Sequence, residues 1–218
     1  MRPAAVDRSM APSPPPVPTD ALDSGGWREI ERADGVAFDA GFVRVETATL
    51  VFEDGSLRER LLSATGLDYP WRFFVASRLE LRPAPPVSRA LTALVADRAR
   101  AGFADRLADR GLSAVRRADD RSADGAFDGA TRASSYDAVC RLGGASARVR
   151  GWVAVRPDGS DGSYTLAGGA FPTAVRDAAD PETADRLAAA FDADAFEAEL
   201  FDLIRATVAP AERTGEGE

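Results

Sequence analysis

The chain contains no lysine, no histidine, no asparagine, no glutamine and a single cysteine. Each absence closes a class of chemistry. Without imidazole, neither a Ser-His-Asp nor a Cys-His pair has its base, and histidine-ligated zinc cannot form. Without lysine there is neither a P-loop nor a Schiff base. One thiol, Cys140, allows no intramolecular disulfide and no cysteine metal cluster. It lies in a strand-like stretch from Tyr136 to Leu142, where a small buried hydrophobe is its expected role. Apolar runs are short and broken by charge, well below the ~20 residues of a membrane span. The N-terminus lacks the continuous apolar stretch of a secretory signal. The expected setting is therefore the cytoplasm.

What is present is as skewed as what is missing. All 27 basic residues are arginine, and they face 35 acids in which Asp outnumbers Glu. A GC-rich genome removes Lys, Asn and Ile together, leaving only Ile30 and Ile204, but it does not by itself produce an acid excess. A net charge of −8 and an isoelectric point near 4.8 suit a salt-rich cytoplasm, where a hydrated acidic surface keeps molecules apart. Absence of the long apolar lysine stem fits the same setting. The composition reads as that of a halophile's protein, the alternative being an ordinary acidic protein from a GC-rich bacterium.

At 218 residues and 45% hydrophobic, the chain supports one good core. Residues 1–24 read as a disordered Pro-rich tail, 25–209 as one α+β domain and 210–218 as a second tail. From Val36 to Phe52, alternating Val43, Val45 and Thr47 indicate strand, broken at Gly41 and ended by a turn at Glu53-Asp-Gly55. In the next strand Trp71, Phe73, Val75, Ser77, Leu79 and Leu81 share a packed face. Arg72, Arg78, Glu80 and Arg82 decorate a wet one. After Pro86, an apolar stripe through Val87, Leu91, Leu94, Val95, Ala99, Phe103 and Leu107 predicts a helix, with Gly111 as its left-handed end. A short strand over Leu112–Arg116 and a polar loop over Ala118–Gly129 follow. Strands over Thr131–Leu142, Ala147–Arg156 and Ser163–Phe171 are then joined at Gly143-Gly144 and at Pro157–Gly162. Asp180-Pro181-Glu182 starts a helix, and Asp192-Ala-Asp194 divides it from a second, capped by Asp194 and ended at Pro210.

Strands, a helix, antiparallel strands and a C-terminal helix imply an antiparallel sheet with its helices on one face. The extended Phe73-Phe-Val-Ala-Ser-Arg78, the helix after Pro86, Gly151-Trp-Val-Ala-Val155 and Leu166-Ala-Gly-Gly-Ala-Phe-Pro172 follow one another in an order that resembles the PsbP/Mog1-like α/β/α group. It is also similar to that of domain-of-unknown-function proteins of halophilic archaea. The resemblance spans roughly residues 27–208 and implies a sandwich with a binding or scaffold role. It carries over no functional residue.

Carboxylates, hydroxyls and arginines are the remaining chemistry. Asp120-x-Ser122-x-Asp124-Gly125-x-Phe127-Asp128 matches the front half of a calcium loop, but its twelfth position is Thr131 where a bidentate Glu belongs. A solvated loop is the expectation. Gly168-Gly169 in a strand marks a bulge or a close helix contact rather than a ligand. Arg72, Arg78, Arg82, Arg148, Arg150 and Arg156 form either a phosphate- or RNA-binding face or a charged face paired with Glu46, Glu80 and other acids; net acidity favours the second. Trp27, Trp71 and Trp152 are expected core anchors. No residue is assigned a catalytic, cofactor-binding or metal-ligating role. The reading is a non-enzymatic domain that binds an unknown protein or small molecule, without membrane. The alternatives are a carboxylate-based hydrolase or magnesium enzyme and an arginine-mediated nucleic-acid binder.

Overall fold

The computed structural model describes residues 12–39, 44–118, 126–159 and 162–209. Five helices and seven strands follow in the order α1 (Thr19–Ser24), β1 (Trp27–Asp39), β2 (Arg44–Asp54), α2 (Gly55–Thr65), β3 (Phe73–Arg82), α3 (Arg89–Asp109), β4 (Leu112–Ala118), β5 (Arg132–Leu142), β6 (Ala145–Pro157), β7 (Ser163–Ala178), α4 (Pro181–Ala190) and α5 (Ala193–Val208). The strands make one sheet, β1-β2-β3-β7-β6-β5-β4, antiparallel at every junction. The α+β architecture expected from the sequence is therefore the one observed.

Topology explains the long third helix. β3 lies third in the sheet and β4 last, so the connection must cross four strand spacings, about 19 Å at ~4.8 Å each. α3 has 21 residues and so runs about 31 Å, at ~1.5 Å per residue. It contacts β6, β5 and β4 on the way. Ser88 caps its start by accepting the Leu91 N–H at 3.1 Å, and Gly111, at φ +80°, takes the left-handed position just past its end.

Helices cover both faces of the sheet, not one. Side chains alternate along a strand, so Gly168 and Gly169 of β7 look in opposite directions. A Cβ at Gly168 would come within 3.3 Å of Phe103 in α3, while one at Gly169 would come within 2.8 Å of Leu200 in α5. Such an atom would also stand 2.5 Å from the Trp152 carbonyl at Gly168 and 2.3 Å from that of Phe73 at Gly169. The glycine pair thus admits neighbouring strands and helices, as its strand position implied. Gly151 makes the same room for Phe103, at 3.2 Å. Phe103 itself sits beside Phe73 and Tyr136, with ring centroids 6.5 and 5.5 Å away.

Two-sided cover corrects the facing of β3. The alternation is as read, but Arg72, Phe74 and Ala76, on the face expected to be wet, are buried. Only from Arg78 onward does that face open. Along α3, Val95, Ala99, Phe103 and Leu107 are buried, whereas Leu94 is 55% exposed. The exposed residue lies at the rim of the stripe, turned away from β6.

Three elements were not read from the sequence: α1, α2 and β1, the strand expected over Val36–Phe52 being the end of β1 and most of β2, paired antiparallel. Residues 19–24 form α1 with Leu22 buried, and Pro12 and Pro15 are buried too, so the ordered part begins before residue 25. Glu53-Asp-Gly55 is not a turn: Glu53 and Asp54 end β2, and α2 starts at once at Gly55. Asp54 accepts the Leu57 N–H at 2.8 Å, and Leu57 and Leu61 bury one helix face. Asp180 caps α4 as expected, through the Thr183 N–H at 2.8 Å. The cap of α5 is Asp192, which accepts from Ala195, and not Asp194. The hairpin at Gly143-Gly144 is present, with Gly144 at φ +97°. Trp27, Trp71, Trp152 and Cys140 are all core residues. Burial raises the Cys140 thiol above its ordinary range.

Candidate functional site

The six arginines considered as a phosphate-binding face sit in different surroundings. Arg72 is buried, whereas Arg82 holds Glu80 at 2.7 Å and Glu46 at 3.5 Å. Arg150 holds Asp137 at 3.0 Å and Arg156 holds Asp128 at 3.1 Å, while Arg78 stands 3.9 Å from Asp158. Arg148 is exposed.

Arg72 is instead the centre of a buried charge cluster. Its Nη1 donates to Asp54 Oδ2 at 2.8 Å and its Nη2 to Glu199 Oε2 at 2.6 Å. The Trp27 indole N–H donates to the other Glu199 oxygen at 2.8 Å. The guanidinium lies over Phe196, 4.2 Å from its centroid, and 4.9 Å from that of Trp27. Because Asp54 also caps α2, the cluster ties β1, β2, α2, α5 and the segment leading into β3 at one end of the sheet. Every one of these donors and acceptors is engaged within the protein, which is the arrangement of a structural tie.

A shallow groove opens between β1 and the end of α3. It encloses about 400 Å³ and is lined by Glu31, Gly102, Asp105, Arg106, Asp109 and Arg110. Arg110 lies over Phe73 at 4.5 Å, and its backbone carbonyl accepts from the Tyr69 hydroxyl at 3.2 Å. Burial first, and then the neighbouring Arg106, lowers the Arg110 pKa from its usual value. Three acids and two arginines of mixed sign, with no large apolar side chain beside them, make a poor cavity for a small apolar molecule.

The calcium-like loop lies partly outside the described residues, since 119–125 are not among them. Its last acid, Asp128, accepts from the Thr131 hydroxyl at 2.6 Å and the Thr131 N–H at 2.9 Å, besides its pairing with Arg156. The Thr131 hydroxyl, and after it the Arg156 charge, hold this carboxyl below the usual range. Among the described residues, no group of three or more His, Cys, Asp or Glu is placed to hold a metal. No helix there is long and apolar enough to cross a membrane.

The feature that sequence reasoning missed is β1. It is an outer strand of the sheet, 13 residues long, and after Trp27 every residue in it is exposed. Ile30, Val36 and Phe38 are among them, Phe38 being 50% exposed. A signal was available in the run of charge: Glu29, Arg32 and Asp34 lie on one face of the strand and Arg28 and Glu31 on the other. Charge on both faces of one strand marks an edge.

Among the described residues, fold and surface define an α+β domain built on a seven-stranded antiparallel sheet, with the exposed β1 as an edge strand. Residues 14–208 match the model of the family described as Domain of unknown function (DUF6517), and the chain belongs to that family. No curated protein and no solved structure gave a match.

Proposed function

We propose that the domain is a non-enzymatic binding module that engages protein through the open edge of β1. The observation that carries this is the exposure of every β1 residue from Arg28 to Asp39, three large apolar side chains included. An edge strand presents unpaired N–H and C=O groups, and an extended segment of another chain completes the ladder. The opposite edge is less suited, because β4 has seven residues and a register break between Ser113 and Arg116. β1 keeps regular register from Glu31 to Val36, between two bulges. The acid excess and the absence of lysine support a salt-rich cytoplasm as its setting.

The test is photo-cross-linking in the native host, with a benzophenone side chain at Val36 or Phe38 and controls at Leu62 and Leu94. All four positions are exposed and apolar, but the controls lie on α2 and α3. Covalent protein adducts confined to the β1 positions support the reading. Equal adducts at all four, or none on β1, would overturn it.

A further inference from the structure

We infer that the strand completing the β1 edge belongs to a second copy of this chain, paired antiparallel about a two-fold axis at Ala33. This rests on the reading of β1 as the binding edge and adds the identity of the occupant. A two-fold axis normal to the sheet leaves each face on its own side, so residues brought opposite each other must share a face. Along a regular strand that requires the axis to pass through a residue, not between two. The uninterrupted register of β1 is bounded by shifts between Glu29 and Glu31 and between Val36 and Phe38, which leaves few centres.

Those centres differ sharply in charge. An axis at Arg32 sets arginine against arginine, and one at Asp34 sets aspartate against aspartate. An axis at Gly35 brings Asp34 opposite Val36. With the axis at Ala33, Arg32 of each copy stands opposite Asp34 of the other, and Glu31 faces Gly35. Arg32 and Asp34 do lie on one face, since they pair with Leu50 and Ala48, two residues apart on β2. The same register brings Val36 of one copy toward Ile30 of the other, at the shift between Glu29 and Glu31, and leaves Phe38 beyond the regular stretch. Arg32 already grips Glu29 through Nε at 2.9 Å and Nη2 at 2.7 Å, which orders the guanidinium and leaves Nη1 outside both bonds. Opposed like charges are unfavourable and opposed unlike charges favourable, so the Ala33 register is selected.

Sedimentation of the full chain over a range of concentrations tests this, in one buffer for all variants. The wild type is expected to form a dimer. Arg32→Asp or Asp34→Arg alone places like charges opposite each other twice and should weaken the dimer by on the order of tenfold or more. The two changes combined should restore it, an outcome a merely structural role would not give. Both side chains are exposed, and circular dichroism confirms that each variant is folded. A wild type that is monomeric throughout, single swaps that dimerise as tightly as the wild type, or a combined swap that fails to restore pairing would each overturn the inference. If the wild type is monomeric and Val36 cross-links a different protein, self-pairing fails and edge binding stands. If it is monomeric and β1 cross-links nothing, both fail.

Discussion

Replacing Arg72 with methionine removes the one cation of the buried cluster. The wild-type side chain is 4% exposed, and its partner Asp54 is 5% exposed at the side chain. Breaking such a pair from one side leaves a carboxylate without water or counter-charge, which costs about 3–5 kcal/mol. Glu199 adds less, because its side chain is 35% exposed and water screens it. Asp54→Asn should be milder, since asparagine still caps α2 and carries no charge to strand. Arg72→Met with Asp54→Asn should therefore be less destabilised than the two single losses added together, by at least ~1 kcal/mol. Urea melts of the four proteins supply the cycle. A loss below ~1 kcal/mol for Arg72→Met, or strict additivity, would refute the view that this cluster is a buried tie.

Phe103→Ala should cost about 3–5 kcal/mol, because it empties the space that Gly151 and Gly168 leave for the ring, whereas Leu94→Ala should change stability by under ~0.5 kcal/mol. Denaturant melts giving the reverse order would contradict the facing of α3. The Asp180 carboxyl is held below its ordinary value of 3.8 first by the Thr183 N–H and then by the Thr183 hydroxyl. A depressed carboxyl stabilises the fold above its unfolded value and loses that contribution as pH falls through its folded value. Asp180→Asn should thus flatten the wild-type loss of stability below about pH 3.8, as followed by thermal melts across acid pH. Thermal midpoints should also rise from dilute buffer to molar KCl as repulsion within a net charge of −8 is screened; an unchanged or lower midpoint would count against salt adaptation.

Much of the fold was legible because its signals are local. Alternation placed β3, β5, β6 and β7, Asp180-Pro181 marked α4, and Gly111 marked the end of α3. Facing was harder, since Leu94 follows the same spacing as Val95 and only the position of β6 decides which is covered. The wet face assigned to β3 failed for a similar reason: alternation reports that two faces exist, but cover on the second comes from α5, more than a hundred residues later. α2 was hidden because Asp54 serves equally as a turn residue and as a helix cap. The candidate surface was the least legible part. Val36 and Phe38 read as ordinary strand hydrophobes and Ile30 was assigned to no strand; the exposure of all three follows only from β1 lying outermost in the sheet.

The central claim is that the free edge of β1 closes against a protein strand. Amide hydrogen exchange of the full chain at dilute and high concentration tests it most directly, with β4 as an internal control on the other edge. Amides within 31–35 should slow as concentration rises, while those of Leu112–Ala118 keep one rate. Exchange at 31–35 that is the same at every concentration, and unaltered by any protein that cross-links to Val36, would contradict the account.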